Sequence, residues 1–260
     1  MARGYPREAG KLAPLFCIDT RESMSLKRAL PLAAALAVIS TPLMATEAIE
    51  EYMARVIPDT EIDSIRETPM EGVFEVRYGT DILYVSEDGR YLIQGNMVDL
   101  ETRENLTQSA LSGVRADMFA AIDDSELVTY SPNGETRGVL NIFTDPNCPY
   151  CREIHQDLPE YLSAGIKVRY LMFPVLGRDS PEIMDRIWCA EDREEAMDRA
   201  KEGDKLSDID GSCATPQDQH MAMGQQLGLR GTPALITEGG QQLSGYQEPQ
   251  AVIERILGSN

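Results

Sequence analysis

The spacing of apolar and polar residues divides the chain beyond residue 46 into two parts. In the first part, short runs either alternate apolar with polar residues or concentrate β-branched and aromatic residues, which is typical of strands. Turn residues separate these runs at Gly79 and at Asp88-Gly89, and Asp-Gly is a strong hairpin signal. The pattern predicts one opening helix, 47–56, and strands at 74–78, 82–85 and 91–94.

A helical pattern then joins the two parts of the chain. It ends in a run of acidic and polar residues, 123–126, which is typical of a connection between domains. We therefore predict a linker helix within 109–126. The apolar stripe that defines it consists of Leu111, Val114, Met118, Phe119 and Ile122.

From residue 127 onward, strand patterns alternate with helical patterns. A buried strand at 139–144 leads into a helix that we expect to continue to Gly165, a C-cap candidate. The order of the elements is βαβ followed by ββα with inserted helices, which predicts an α+β thioredoxin fold for 127–260. The other predicted elements are strand 166–173, helical stretches 181–201 and 218–227, strands 234–237 and 242–244, and helix 249–257.

The first 45 residues have the pattern of a leader and a secretory signal peptide. Lys27-Arg28 precedes an apolar run of 11 residues, and Ala45 closes the segment after a proline. The apolar run is too short to span about 30 Å of hydrocarbon. We predict export with cleavage near Ala45, which removes Cys17, and Met24 is a well-formed start within this leader.

Composition narrows the class of protein. The chain has 43 acidic and 24 basic residues, and this balance argues against binding nucleic acid, because neutralising phosphates requires a basic face. The N-terminal part, 46–108, contains no Cys and no His. A strand-rich unit of this size buries little core, so we expect it to associate with a second copy.

The candidate chemistry is a C-x-x-C pair, Cys148-Pro149-Tyr150-Cys151, directly after a predicted strand and at the start of a helix. A helix N-terminus stabilises a thiolate, and thiolate is the attacking species in thiol–disulfide exchange. We predict that Cys148 attacks and that Cys151, one turn further on, resolves the mixed disulfide. A purely structural disulfide would gain little from so short a loop.

The remaining cysteines of the exported chain are Cys189 and Cys213, which are left to pair with each other if the C-x-x-C residues pair. Closing that loop would contribute about 3.5 kcal/mol in the chain-entropy model. A zinc site is rejected because no second C-x-x-C or Cys/His cluster completes one. We expect no metal and no cofactor. His155 and His220 are interpreted as solvated surface residues.

Several segments together carry a resemblance to a known family: 92–95 with Asp99, 143–145 before the C-x-x-C pair, 168–171 with 173–174, 187–190 and 231–234. They resemble the periplasmic DsbC/DsbG family of disulfide isomerases and reductases over about 47–258. The resemblance implies a cystatin-like dimerisation domain at 46–108 and a thioredoxin-fold catalytic domain with a helical insertion, assembled as a homodimer. It also implies a periplasmic location, misoxidised exported proteins as substrates, and a membrane-embedded, DsbD-like thiol reductase as electron donor.

The resemblance also implies roles for individual residues. Cys148 matches the attacking cysteine and Cys151 the resolving one, while Cys189 with Cys213 matches a structural disulfide of the DsbC branch. Thr232-Pro233 matches a cis-proline loop that offers its backbone to the substrate. Substrate contacts are expected at Thr232, Pro233, Pro149 and Tyr150.

The two branches of the family are represented by different residues. DsbC typically has Gly-Tyr between the cysteines, whereas Pro149-Tyr150 is the DsbG-like choice. The Cys189 and Cys213 pair favours DsbC. The main hypothesis is therefore a disulfide isomerase, and the alternatives are a DsbG-like reductase of oxidised single cysteines and a dimeric chaperone of the holdase type.

Overall fold

The computed structural model describes residues 41–58 and 61–258, so the leader and all but the end of the predicted signal peptide lie outside the described residues. The N-terminal part is a helix packed on a four-stranded antiparallel sheet of order β1-β2-β3-β4. The predicted opening helix is observed and begins earlier, at Thr41. The elements are α1 (Thr41–Val56), β1 (Ser64–Glu67), β2 (Val73–Tyr78), β3 (Asp81–Ser86) and β4 (Leu92–Ile93).

Burial on one face explains this arrangement. Ile49 and Met53, one turn apart on α1, are buried against a cluster of sheet residues that includes Val76 and Leu83. Strand β1 was not predicted from the sequence. It is an edge strand of four residues whose side chains are half-buried or exposed, so its pairing with β2 rather than its own pattern defines it.

The linker helix α2 (Leu106–Ala120) begins three residues before the predicted start because Asn105 caps it, accepting a hydrogen bond from the Gln108 N–H at 3.0 Å. A 3-10 turn, Asp124–Glu126, follows. Phe119 of α2 is buried in a cluster that includes Phe143 and Leu171. The helix also lies so close to Gly240 that a Cβ there would stand 1.8 Å from the Ser112 carbonyl oxygen, so glycine is required at that point.

The C-terminal part is built on a five-stranded sheet of order β5-β7-β6-β8-β9. Strands β6 and β7 are parallel, and the other pairs are antiparallel. This is the predicted thioredoxin arrangement, and the α+β fold class is confirmed. The elements are β5 (Val128–Tyr130), β6 (Gly138–Thr144), α3 (Pro149–Gln156), α4 (Leu158–Ser163), β7 (Ile166–Met172), α5 (Ser180–Cys189), α6 (Arg193–Glu202), α7 (Gln217–Gln226), β8 (Ala234–Thr237), β9 (Gln242–Ser244) and α8 (Pro249–Leu257).

Two stretches predicted as continuous helices are each broken in two. The helix after the C-x-x-C pair ends at Gln156, and Pro159 explains the break because it has no N–H to donate to the His155 carbonyl. The stretch 181–201 is interrupted before Asp192, which caps α6 by accepting a hydrogen bond from the Glu195 N–H at 3.0 Å. Over the part of the chain that the structure describes, no helix is long and apolar enough to cross a bilayer.

Candidate active site

The site begins where β6 ends, with Thr144 and Asp145, both fully buried. Asp145 connects three segments through its carboxylate. One oxygen accepts hydrogen bonds from the Asn147 N–H and the Ser180 hydroxyl, and the other accepts from the Leu176 N–H, each at 2.8 Å. The turn that leads into the C-x-x-C pair is thereby fixed to the loop after β7 and to the start of α5.

Cys148 is the N-cap residue of α3, with extended backbone dihedrals. Its Sγ accepts a hydrogen bond from the Cys151 N–H at 3.4 Å. The Thr232 carbonyl oxygen lies 3.3 Å from the same sulfur, which can donate to it only in the protonated form. Hydrogen bonding from the Cys151 side chain is the largest cause that lowers the pKa of Cys148, to about 5, and it outweighs burial, which raises it. The sulfur of Cys148 is therefore a thiolate at neutral pH.

Cys151 lies one turn further along α3 and is also buried. Burial, followed by the interaction with Cys148, raises the pKa of the Cys151 thiol far above its usual range. The two cysteines of the pair are thus opposite in ionisation: the first is charged and the second is protonated. This asymmetry suits a sulfur that attacks and a second that acts later.

The loop before β8 completes the site from the other side. The Thr232–Pro233 peptide bond is cis, and it places the Thr232 carbonyl next to Cys148. Pro149 occupies the first position of α3, where a backbone N–H would have no acceptor within the helix, so proline is well tolerated there. Tyr150 is 57% exposed, and its ring stacks on that of Tyr246 with the centroids 6.4 Å apart. Of the four predicted substrate-contacting residues, Pro149 and Tyr150 therefore lie within the C-x-x-C motif, and Thr232 of the Thr232-Pro233 loop lies against Cys148.

The other two cysteines lie away from the site. Cys189 ends α5 and forms a disulfide with Cys213, with Cα atoms 5.7 Å apart. The neighbouring Arg193 guanidinium stacks over the Trp188 ring at 3.5 Å. Among the described residues no group of three metal-binding side chains is found.

The interpretation of the two histidines as solvated surface residues is wrong. The His155 ring bonds to the Tyr170 hydroxyl at 3.2 Å and to the Asp198 carboxylate at 3.0 Å. His220 is 4% exposed, and its Nδ1 accepts a hydrogen bond from the Met172 N–H at 3.2 Å. Spacing along a helix shows which residues share a face. It does not show that α6 packs against α3, which carries His155, or that β7 packs against α7, which carries His220.

We expect both histidines to titrate near pH 4, because burial is the main cause that lowers the pKa of each to about 4. The unfolded chain then binds more protons than the folded chain between about pH 6.5 and pH 4, so the free energy of unfolding should fall as the pH drops through that range. Imidazole resonances in NMR measure this directly, since the chain has two histidines. Midpoints near 6.5 would contradict the burial of these rings.

Sequence reasoning also missed Lys201, a buried lysine of α6. Its Nζ donates to the Thr144 hydroxyl and, at 3.1 Å, to the Asp145 carbonyl. Nothing in the pattern of α6 marks this residue, because the helix is strongly polar and Lys201 lies beside two other charged residues, Arg199 and Glu202. Only the packing of α6 against α3 brings it to the C-x-x-C pair.

A charged sulfur and a protonated one, held a helical turn apart on this fold, are suited to exchanging disulfides with another protein. Such chemistry on a thioredoxin fold defines the class of thiol–disulfide oxidoreductases. Two family models agree with that class. Residues 40–108 match the disulfide bond isomerase protein N-terminal domain, and residues 124–259 match the thioredoxin-like domain.

Curated relatives give the family. The thiol:disulfide interchange protein DsbC of Dickeya dadantii is 33% identical over 196 residues, which are 74% of this chain and 79% of the relative. DsbC of Escherichia coli K12 is 33% identical over 211 residues, 80% of this chain and 85% of the relative. The chain therefore belongs to the DsbC family of thiol:disulfide interchange proteins. A solved disulfide interchange protein from Neisseria gonorrhoeae is similar with a TM-score of 0.47 and 24% identity, over 52% of this chain and 99% of that one.

Proposed function

We propose that this protein isomerises or reduces non-native disulfides with Cys148 as the nucleophile and Cys151 as the resolving cysteine. The observation that carries the assignment is the position of Cys148 as the N-cap of α3, where its Sγ accepts the Cys151 N–H, while Cys151 lies buried one turn further on. The Cys148 thiolate attacks one sulfur of a substrate disulfide and forms a mixed disulfide, and the other substrate sulfur leaves as a thiolate.

The mixed disulfide then has two outcomes. In isomerisation, a substrate thiolate attacks the substrate sulfur bound to Cys148, forms a new substrate disulfide and returns the Cys148 thiolate. In reduction, Cys151 attacks Cys148, the Cys148–Cys151 disulfide forms, and the substrate leaves with two electrons more than it had. Recovery of activity by scrambled ribonuclease tests the proposal. A catalyst of isomerisation should accelerate that recovery, and no acceleration would contradict it.

The substrate is proposed to bind around the exposed Tyr150 and the Thr232-Pro233 loop. The Thr232 carbonyl lies 3.3 Å from the Cys148 sulfur, so a chain segment that reacts there passes within reach of this backbone. Tyr150 and Pro149 offer a flat apolar surface without charge beside the sulfur. Such a surface suits the apolar residues that misoxidised, incompletely folded proteins expose.

The protein is further proposed to be a periplasmic homodimer that a membrane-embedded, DsbD-like thiol reductase keeps reduced. Support for the dimer comes from the N-terminal sheet, whose edge strand β4 is two residues long. The apolar side chains on and near β4 are exposed in the single chain: Tyr91, Leu92, Ile93, Val98 and Leu100. An exposed sheet edge with apolar side chains is a surface for pairing with another chain.

We expect the chain without its leader to have twice the monomer mass in analytical ultracentrifugation. Replacing both Leu92 and Ile93 with glutamate should give a monomer, because two charges would be buried at the interface. Reaction of the C-x-x-C pair with a small disulfide should be unchanged in that variant. A wild-type monomer would contradict the dimer.

A DsbG-like reductase of oxidised single cysteines is the second candidate, favoured by Pro149 in the C-x-x-C pair. Reduction of a sulfenic acid on a substrate protein, compared with refolding of scrambled ribonuclease, separates the two. A holdase would instead suppress aggregation equally well after loss of both active cysteines.

A further inference from the structure

Lys201 is a charged residue buried in an unusual setting. It is 4% exposed, and its Nζ is bonded to one hydroxyl and one carbonyl oxygen, both neutral acceptors. Within the described part of the chain, the ion pairs join other residues and none includes Lys201. Burying an ammonium group without a bonded carboxylate is energetically costly. Lys201 is therefore a candidate for a functional role beside the reactive cysteines.

The Thr144 hydroxyl connects Lys201 to Cys151. It accepts a hydrogen bond from the Lys201 Nζ, and hydrogen bonding from the Thr144 side chain lowers the pKa of the Cys151 thiol against the larger influence of burial. One hydroxyl therefore lies between a buried thiol and a buried amine. A hydroxyl can accept a proton on one side while it donates its own on the other, so the three groups form a short path for a proton.

The charges around Lys201 adjust its proton affinity. Burial lowers the pKa of Lys201 to about 8, against the opposing influence of Cys151, Asp145 and Cys148. Arg152 of α3 lowers that pKa as well, the Tyr170 ring of β7 lies 5.8 Å from the Nζ, and the positive charge of Lys201 is felt at His155. About a tenth of the molecules then hold Lys201 as a neutral amine at pH 7.

Lys201 also lines a groove at the surface of the domain. The groove has a volume of about 440 Å³, lies between α3 and α6, and is lined by Lys201, Arg152, His155 and Asp198 among others.

We propose that Lys201 takes the proton of Cys151 through the Thr144 hydroxyl when the mixed disulfide is resolved. The inference rests on the proposed roles of Cys148 and Cys151. The Cys151 proton moves to the Thr144 oxygen while the Thr144 proton moves to the Lys201 amine. The resulting Cys151 thiolate attacks Cys148, the Cys148–Cys151 bond forms, and the bond from Cys148 to the substrate breaks. The substrate sulfur keeps the electron pair and takes a proton from solvent.

The step can be observed with an aromatic disulfide, 5,5′-dithiobis(2-nitrobenzoate), and the reduced full chain. Attack by Cys148 releases one coloured thiolate, and displacement by Cys151 releases the second, so stopped-flow absorbance separates the two steps. In Lys201→Met we expect the first phase to be within about twofold of wild type and the second to be about a hundredfold slower at pH 7, a typical loss for a removed general base. In the wild type the second phase should accelerate as the pH rises through the titration of Lys201, and this pH dependence should disappear in Lys201→Met.

Lys201→Arg separates proton transfer from charge. Arginine keeps the positive charge and the hydrogen-bond donors but does not lose its proton in this pH range. We expect its second phase to remain slow. A wild-type rate and pH profile in Lys201→Arg would overturn the proposal, because charge alone would then suffice. Lys167→Met, at a lysine of β7 paired with Asp124, is the matched control and should behave as wild type.

Thr144 provides a second test that leaves Lys201 in place. Thr144→Val removes the hydroxyl with little change in shape and should slow the second phase, while Thr144→Ser should restore it. A normal second phase in Thr144→Val would overturn the proposal even where Lys201→Met does not fold. If the wild type shows no first phase at all, the role of Cys148 is contradicted instead. This outcome distinguishes failure of the proposed function from failure of the Lys201 step.

Discussion

Replacing Cys148 with serine is expected to abolish both isomerisation and reduction. The thiolate of Cys148 exists because the Cys151 side chain and the start of α3 stabilise it, and a serine hydroxyl at the same N-cap remains protonated and is a poor nucleophile toward sulfur. We expect the rate of refolding of scrambled ribonuclease to fall to the uncatalysed level.

Cys151→Ser is the matched variant for this prediction. It keeps the attacking sulfur but cannot release a stalled substrate, so mixed disulfides with Cys148 should accumulate and be visible on non-reducing gels. Isomerisation should persist in part, because it needs only Cys148 when the substrate itself supplies the second thiolate. Full recovery of ribonuclease activity with Cys148→Ser would contradict the assignment of the nucleophile.

Much of the fold follows from the sequence where an element carries its own pattern. Helix α8 (Pro249–Leu257) and the hairpin strands β8 and β9 have the predicted bounds. Strand β6 differs from its prediction by one residue, because its apolar run is bounded by turn residues. Strands β1 and β5 were missed, since three or four residues at the edge of a sheet are defined by the partner strand with which they pair.

The candidate site divides in the same way. The C-x-x-C pair and the Thr232-Pro233 loop can be identified from local sequence, because each occupies a recognisable position next to a strand. Lys201 and His155 could not be assigned, since their partners lie 57 and 43 residues away along the chain. Their environment is created when α6, an inserted helix, packs over α3. Long-range packing of this kind leaves no periodic signal.

The hydrogen bonds of Asp145 contribute to the free energy of unfolding through this long-range packing. Its carboxylate accepts three hydrogen bonds from Asn147, Ser180 and Leu176, at full burial. Asp145→Ala would leave the two N–H groups and the hydroxyl without acceptors in a dry environment, and each lost bond to a charged group is worth roughly 1.5–3 kcal/mol. Relief of the buried charge offsets part of this loss. We expect the free energy of unfolding of the C-terminal domain to fall by about 4–5 kcal/mol.

The single tryptophan makes this loss measurable in one domain. Trp188 belongs to α5, so its fluorescence in urea follows the C-terminal domain and not the N-terminal sheet. Asp145→Asn is the matched control, because the amide keeps one oxygen acceptor and should lose about half as much. A loss below about 1 kcal/mol in Asp145→Ala would show that water or a rearranged backbone replaces the carboxylate, and the turn before Cys148 would then not depend on Asp145.

Asp145 also favours the positive charge of Lys201, so Asp145→Asn should shift the pH midpoint of the Cys151 step downward. A substitution that only loosened the fold would leave that midpoint in place.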